Sequence, residues 1–406
     1  MKILFITDNF PPEVNAPATR TYEHCVEWVR QGAEVTVITC VPNFPEGKVF
    51  EGYRNKLCQQ EVRDGIRVIR VWSYITANEG FAKRVVDYVS FAFMAFWAGL
   101  FRSFDVIIAT SPQFFTTFSG CALSFIRRKP WVFELRDLWP ESIATVGAMK
   151  PGRLLRLLEK IELFMYRNAD LVVPVTWAFQ QNLERRGILG DKITVIPNGA
   201  NLELFQPCGK DTELAARLGL ADKFVIGYIG THGMAHGLDF IMRACRSLDD
   251  STIHFLFIGA GAAKADTVKL AAELNITNVT FLDPIPKDQV RRYMSITDVA
   301  LVPLRRSDTF KTVIPSKIFE TAAMRKPILL GVDGQAREIV EEFGAGLYFE
   351  PENEQAFLAA VRKLAADHAL YAQLQTGCGK LAQAYNRKNL AQKMYQDICH
   401  RFLPGS

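Results

Sequence analysis

Residues 224–237 read FVIGYIGTHGMAHG, and residues 2–12 read KILFITDNFPP. In each, an apolar run the length of one strand breaks into turn-forming residues. Glycine does the breaking at Gly230, proline at Pro11 and Pro12. A strand, a loop, a helix and another strand open a parallel sheet. This opening comes once at the start of the chain and again past its middle. The 406 residues also exceed what one hydrophobic core usually organises. The expectation is two consecutive α/β domains with a cleft between them. Ligands of such sheets sit beyond the carboxyl ends of the strands.

Outward from these two openings, apolar runs predict strands at Lys2–Thr7, Ala33–Thr39, Val68–Val71, Asp105–Ala109, Trp131–Leu135, Asp170–Val173 and Lys192–Ile196. A helix is predicted over Thr19–Gln31, closed by Gly32, and 40–80 reads as otherwise irregular. After a linker at Asn201–Asp211, strands are predicted at Phe224–Ile229, His254–Ile258, Val279–Leu282, Val299–Pro303, Pro327–Leu330 and, briefly, Gly346–Phe349. The domains expected are 1–200 and 201–385. A basic amphipathic helix at 386–406 has no sheet partner of its own and is free to pack back, on the N-terminal domain among others.

Apolar residues make up 49% of the chain, with mean hydropathy near zero, which excludes global disorder. Net charge is +5, from 48 basic and 43 acidic side chains. No basic stripe of the kind that binds nucleic acid is present. Residues 1–200 hold 24 basic against 20 acidic side chains, a surplus that suits an anionic membrane surface or a diphosphate. The eight cysteines are scattered and form no metal knuckle. The first residues are too few and too short in apolar length for a signal peptide, so a cytoplasmic protein is expected.

Tyr88–Phe101 reads YVSFAFMAFWAGLF, flanked by Lys83, Arg84 and Arg102. It is shorter than the roughly 20 apolar residues that cross a bilayer. It is either a helix buried under the sheet or one lying in a membrane interface. A helix apolar on every side is hard to bury completely, which favours the interface over 81–102, with Phe93, Phe96 and Trp97 as its anchors.

Four places could carry chemistry. The loop after the first strand offers Glu13, Asn15 and Arg20 near helix N-terminal amides, which attract polar or anionic groups. The stretch 131–142, WVFELRDLWPES, puts Glu134, Arg136, Asp137 and Glu141 at the carboxyl end of an apolar strand. Charges there fit a site better than a core, although a structural ion pair holding the loop is the plain alternative. The loop Gly230, Thr231, His232, Gly233 lets the backbone approach a phosphate closely. It has neither a Walker ending nor a dinucleotide fingerprint, and His232 and His236 lack a third metal ligand. Finally, Pro315 and Ser316 start a helix that sets Lys317 in its first turn, where an anion would offset the opposing dipole. Glu320 lies one turn on, and its carboxylate suits a pair of ribose hydroxyls.

In this order the stretches KILFITDNFPPEVNAPATR (2–20), FELRDLWPES (133–142), IPNGAN (196–201), GYIGTHGMAHGLD (227–239), FIGAGAAK (257–264) and VIPSKIFE (313–320) resemble the retaining glycosyltransferases of family four. Within that family the chain is most similar to bacterial surface-polysaccharide enzymes, including O-antigen N-acetyl-L-fucosaminyltransferases. The resemblance implies the GT-B fold, two Rossmann-like parallel-sheet domains facing across a cleft. It also implies a UDP-sugar as substrate rather than cofactor, no metal, and a polyprenyl-diphosphate-linked saccharide acceptor at the inner membrane surface. Donor contacts fall on Gly230–Gly233, Ile285, Ser316, Lys317 and Glu320. Acceptor contacts fall on Glu13, Asn15, Arg20 and Glu134, and catalysis on Asp137, Arg136 and Lys317. Departures are visible. The family's first signature glutamate falls on Thr312, its diphosphate-binding Arg and Lys on Thr231 and Ala235, and its His-Asp pair is Arg136-Asp137 here. The competing readings are a non-hydrolysing nucleotide-sugar epimerase and a non-catalytic binding module of a polysaccharide assembly complex. A dinucleotide-dependent oxidoreductase fits less well, because Asp8–Pro12 is no dinucleotide fingerprint.

Overall fold

Alternate residues of the first strand, β1 (Lys2–Ile6), serve two different cores: Leu4 and Ile6 face one, Ile3 and Phe5 the other. That period of two, buried on both faces, marks a central parallel strand. A computed structural model describes residues 1–44, 46–76, 81–111, 113–139 and 152–403. It divides the chain into two units, Met1–Pro197 with Arg387–Ser406, and Asn198–Asn386.

The first unit is a seven-stranded sheet in the order β3-β4-β2-β1-β5-β6-β7. Its strands are β1, β2 (Glu34–Cys40), β3 (Cys58–Arg63), β4 (Ile66–Val71), β5 (Val106–Thr110), β6 (Trp131–Leu135) and β7 (Leu171–Pro174). All pairs are parallel except β3 with β4. That hairpin corrects the expectation of irregular chain at 40–80. Asp64 and Gly65 turn it, both at positive φ, the two-residue turn that suits strand twist. The edge strand CQQEVR escaped notice because it is polar and half-exposed. Helix α1 (Ala16–Arg30) starts three residues before the expected Thr19, because Pro17 is tolerated in a first turn and Asn15 caps it. Lys192–Ile196, expected as a strand, makes only one parallel bridge, Ile193 to Val172. Pro174 and Pro197, which bound its partner and itself, lack the N–H groups a longer ladder needs.

Helices α2 (Phe81–Leu100), α3 (Phe114–Arg127), α4 (Arg153–Asn168) and α5 (Trp177–Arg185) cover one face of this sheet. The other face is covered by α1 and the terminal helix α14 (Arg387–Phe402). Trp28 donates to the Ala391 carbonyl at 2.8 Å, and Arg387 pairs with Glu23 at 2.7 Å.

The second unit is a six-stranded, wholly parallel sheet ordered β10-β9-β8-β11-β12-β13. Its strands are β8 (Phe224–Ile229), β9 (Ile253–Ile258), β10 (Val279–Leu282), β11 (Val299–Pro303), β12 (Ile328–Gly331) and β13 (Gly346–Tyr348). Helices α6 (Thr212–Arg217), α7 (Leu238–Arg246), α8 (Lys264–Glu273), α9 (Lys287–Ser295), α10 (Lys317–Ala323), α11 (Gln335–Glu342), α12 (Glu354–Ala366) and α13 (His368–Ala384) complete it. The expected linker at Asn201–Asp211 is in part core: Phe205 is buried with Ile314 and Phe319, and Leu202 and Leu204 pack beside it.

Candidate functional site

In the second unit, β8 delivers a glycine loop that is locked to a second one. Gly230, Gly259 and Gly261 have φ of +147°, +147° and +155°, values that side chains rarely adopt. A Cβ on Gly259 would lie 1.9 Å from the Gly230 carbonyl oxygen, and one on Gly261 2.4 Å from that of His232. Three backbone hydrogen bonds join the loops: Gly230 to Ile258, His232 to Ala260 and Ala263 to His232. His232 is wholly buried between them, and burial, with Lys264 and Lys317 nearby, holds its imidazole neutral at about 4. Neither ring nitrogen makes a hydrogen bond of good geometry. Thr231 stands exposed at the loop's tip.

Lys317 enters this loop from the start of α10. Its Nζ lies 3.1 Å from the point where a Gly230 Cβ would sit, and 4.0 Å from the centre of the Tyr228 ring. The ammonium is shut off from solvent and has no hydrogen-bond partner among the described residues. Burial lowers it to about 8, and the Glu320 charge opposes that shift. A cation so placed is half-satisfied by the aromatic face and has donor capacity left for an anion. Tyr228, which sequence reading passed over, builds this arrangement. Its ring supports Lys317 while its hydroxyl donates to the Thr231 carbonyl at 2.5 Å. Its only sequence signal was its place two residues before Gly230.

Ser316 precedes α10 with helical dihedrals, and its side chain caps nothing. Ile285 is half-buried against Leu256 and Ile258, in the loop after β10. Thr312, in the family's first glutamate position, donates to the Thr309 carbonyl at 2.8 Å. Arg305, also missed, fixes the far end of the glycine loop by donating to the Met234 carbonyl at 2.8 Å and pairing with Asp239 at 2.7 Å. A pocket of about 370 Å³ adjoins Gly233 and is lined by Asp239, Arg243 and Arg305, but not by Lys317.

In the first unit the carboxyl ends of β5 and β6 carry a second constellation. Arg20 and Glu134, read from sequence as acceptor contacts, are each 1% exposed and are each other's partner, Nε to Oε1 at 2.9 Å. Arg20 also donates to the carbonyls of Pro197 at 2.6 Å and Ile196 at 2.8 Å. The close ion pair of Glu134 thus spans 114 residues of sequence. Glu13 is buried too, and Oε1 accepts from the amides of Asn43 and Phe44 at 2.8 and 2.9 Å. Asn15 accepts from Ala18 N and donates to Asn9 Oδ1. These four residues shape the strand ends from within.

Arg136 and Asp137 are placed differently. The Arg136 amide donates to Ser111 Oγ at 2.9 Å, while its buried Nη1 has no hydrogen-bond partner among the described residues. Burial lowers Arg136 to about 10; Glu134 opposes the shift and Arg20 adds to it. Asp137 reaches solvent on one side, but the dense protein behind it raises its carboxyl to about 6 against the pull of Arg136. Trp139, two residues on, stacks on Phe114 at 4.2 Å and pins this turn. Pro140, Glu141 and Ser142 of the motif lie outside the described residues. Among the described residues, no group of three His, Cys, Asp or Glu could hold a metal ion.

Helix α2 buries one side of the aromatic stretch and leaves another exposed. Phe91 and Ala95 are fully buried, and Gly99 lets the helix approach Leu123 and Leu4. Phe93 and Trp97 remain 60% and 46% exposed. Phe96, expected with them, is instead partly buried against the core. Among the described residues, no helix is long and apolar enough to cross a membrane.

Comparisons with known proteins identify the class to which this fold belongs. Residues 15–199 match the glycosyl transferase 4-like domain, and residues 210–380 match the glycosyl transferases group 1 domain. The chain belongs to the GT-B glycosyltransferases that carry both domains, and it is a transferase. It is 26% identical over 89% of its length to the putative colanic acid biosynthesis glycosyl transferase WcaI of Escherichia coli strain K12, covering 92% of that protein. Its fold is similar to that of sucrose-phosphate synthase from Thermosynechococcus elongatus, with TM-score 0.79 and 19% identity over 99% of both chains. It is also similar to Anabaena Alr3699/HepE in complex with UDP-glucose, with TM-score 0.72 and 18% identity over 98% of this chain and 100% of that one.

Proposed function

We propose that this protein moves a glycosyl group from a UDP-sugar to a polyprenyl-diphosphate-linked saccharide, in the synthesis of a bacterial surface polysaccharide such as O-antigen or capsule. N-acetyl-L-fucosamine is the first sugar to test. The observation that carries the reading is the buried, unpartnered ammonium of Lys317 beside Gly230. Similar proteins add support: a putative colanic acid biosynthesis glycosyl transferase among the relatives, and a structure of the same fold in complex with UDP-glucose.

In this reading the diphosphate lies along the amides of Gly230–Gly233, with Lys317 and Ser316 against its oxygens. Glu320 takes the ribose hydroxyls, and Ile285 lies beside the base. As the bond from the sugar's anomeric carbon to the phosphate oxygen breaks, charge gathers on that oxygen. Donors already in place stabilise it without reorganising. The acceptor hydroxyl forms the new bond on the same face, and its proton passes to the leaving phosphate oxygen. Asp137 orients the hydroxyl. Neither a metal nor a cofactor takes part in these steps.

The acceptor's lipid brings the enzyme to the cytoplasmic face of the inner membrane. Phe93 and Trp97 on α2 enter the interface, and the adjoining α3 exposes Phe125 and Ile126 at 59% and 58%. Lys83, Arg84 and Arg102 at the ends of α2 and Arg128 at the end of α3 supply charge for anionic lipid.

The test is a donor screen by mass spectrometry, offering UDP-sugars with a short-chain prenyl-diphosphate-N-acetylglucosamine acceptor. Transfer from UDP-N-acetyl-L-fucosamine is expected. Faster transfer from UDP-N-acetylglucosamine or a GDP-sugar would overturn the sugar assignment. Epimerised donor formed without acceptor would overturn transfer itself.

A further inference from the structure

Helix α4 exposes six side chains among the described residues: Arg153, Arg156, Leu157, Lys160, Phe164 and Arg167. At 3.6 residues per turn, all six fall within an arc of roughly 100°. The helix spends its other side on the core, where Met165 and Tyr166 are buried and Leu158 and Ile161 pack beside them. Within the exposed arc the residues are sorted. Leu157 and Phe164 form one edge and are 54% and 52% exposed. The four cations form the other, and none of them has an ion pair among the described residues. No acid of the helix shares the arc: Glu162 is buried and paired with Arg186, and Glu159 is half-buried outside it. In a chain of 48 basic and 43 acidic side chains, that is a strong local bias. Helix stability does not explain it. Arg156 and Lys160, four apart, repel each other, and Arg153 in the first turn opposes the dipole.

We propose that this stripe of α4 is a docking surface for an anionic bilayer, with the four cations over the lipid phosphates and Leu157 and Phe164 at the boundary of headgroups and acyl chains. An apolar edge beside a cationic one is how an interfacial helix meets lipid. Charge complementarity selects the occupant, because an anionic leaflet presents a field of one sign to a face of the opposite sign. Continuity supports it. Helix α4 packs on α3, which exposes Phe125 and Ile126, and α3 packs on α2, which exposes Phe93 and Trp97. The bilayer as partner rests on the membrane reading above. What α4 adds is a second element, whose four cations make attachment depend on the charge of the leaflet.

The experiment is vesicle sedimentation of the full chain, with vesicles of phosphatidylcholine alone and of phosphatidylcholine mixed with phosphatidylglycerol. Arg156→Gln, Lys160→Gln and Arg167→Gln together should weaken binding to the mixed vesicles by about a hundredfold, at about fivefold for each cation near an anionic surface. Binding to phosphatidylcholine alone should hardly change. Arg156→Lys with Arg167→Lys keeps the charge and should keep the affinity. Leu157→Ser with Phe164→Ser should weaken binding to both kinds of vesicle by about tenfold. The inference is overturned if the triple variant binds mixed vesicles as the parent does, or if it loses equally on both kinds. It is also overturned if Arg156→Lys with Arg167→Lys loses as much as the triple variant, which would mark a partner that reads guanidinium geometry rather than charge. Circular dichroism checks each fold, and if the triple variant unfolds, Lys160→Glu decides by losing or keeping affinity for the mixed vesicles. A parent that binds neither kind of vesicle overturns the membrane reading as a whole. A parent and a triple variant that bind alike overturn this inference alone.

Discussion

Arg20 and Lys317 are both cations enclosed beside the carboxyl ends of parallel strands, one in each unit, and their surroundings differ completely. Arg20 donates to a carboxylate and to two carbonyls, all within 2.9 Å. Lys317 rests on an aromatic ring with no hydrogen-bond partner among the described residues. The first has the surroundings of a structural cation and the second those of a ligand site. A charge at a strand end is therefore not by itself a sign of chemistry. What separates the two is whether the protein has already satisfied it.

The largest expected effects test this contrast directly. Arg20→Met would leave Glu134 buried without its close partner and should lower unfolding free energy by about 3–5 kcal/mol, the usual result of breaking a buried pair. Urea unfolding measures it. Arg20→Met with Glu134→Leu should recover much of the loss. A fully stable Arg20→Met would mean that the pair is not structural. Lys317→Met should behave in the opposite way, with a stability equal to or above that of the parent. Its kcat/KM should fall by about 10²–10³, as for loss of one charge-stabilising donor. Loss of fold with unchanged turnover of the remaining native enzyme would reverse the contrast.

The two cations also show what a sequence can and cannot reveal. The double α/β architecture was legible because KILFIT and FVIGYI are each followed by a breaker, and local pattern decides such elements. Lys317 was legible because a lysine in a first helical turn contradicts the local dipole. The partner of Arg20 was not, because it lies 114 residues away and no local rule selects it. Edge strand β3 was missed for the opposite reason. Its polar residues hid the period, although Asp64-Gly65 signalled the turn. Helix α2 showed its apolar content but not its facing, so Phe96 was grouped with Phe93 and Trp97 until packing separated them.

The pH dependence sharpens the comparison more gently. In the proposed reaction Asp137 orients a hydroxyl as a carboxylate, and burial raises it to about 6. In the same reaction Lys317 meets a diphosphate as an ammonium, and burial lowers it to about 8. The free-enzyme profile of kcat/KM should therefore rise through about 6 and fall above about 8. Lys317→Arg should move only the alkaline limb upward. The same residue acts on stability with a definite sign. Between about 8 and its ordinary 10.5 the unfolded lysine holds a proton that the folded one has lost. Its destabilising contribution is thus complete below 8 and fades as pH rises through that window. Urea midpoints of the parent and Lys317→Met should converge there, and a constant gap would contradict the burial of this ammonium.

The smallest expected effect concerns a second difference between the units. Among the described residues of the second unit, only Met234 and Val268 are large exposed apolar side chains, whereas the helices of the first expose Val86, Val89, Phe93, Trp97, Phe125 and Phe164 among others. An exposed apolar surface of this kind suits an apolar partner. If the partner is a bilayer, Phe93→Ser with Trp97→Ser should weaken sedimentation with anionic vesicles by about tenfold, given about 1.5–3 kcal/mol for burying a large side chain fully and less for a half-exposed one. Phe96→Ser is the control that gives the test its meaning. Its ring packs on the core, so its loss should lower the unfolding midpoint more than it lowers vesicle binding. If Phe93→Ser with Trp97→Ser leaves vesicle binding intact, the exposed face serves something other than lipid. The difference between the units would then need a protein partner to explain it.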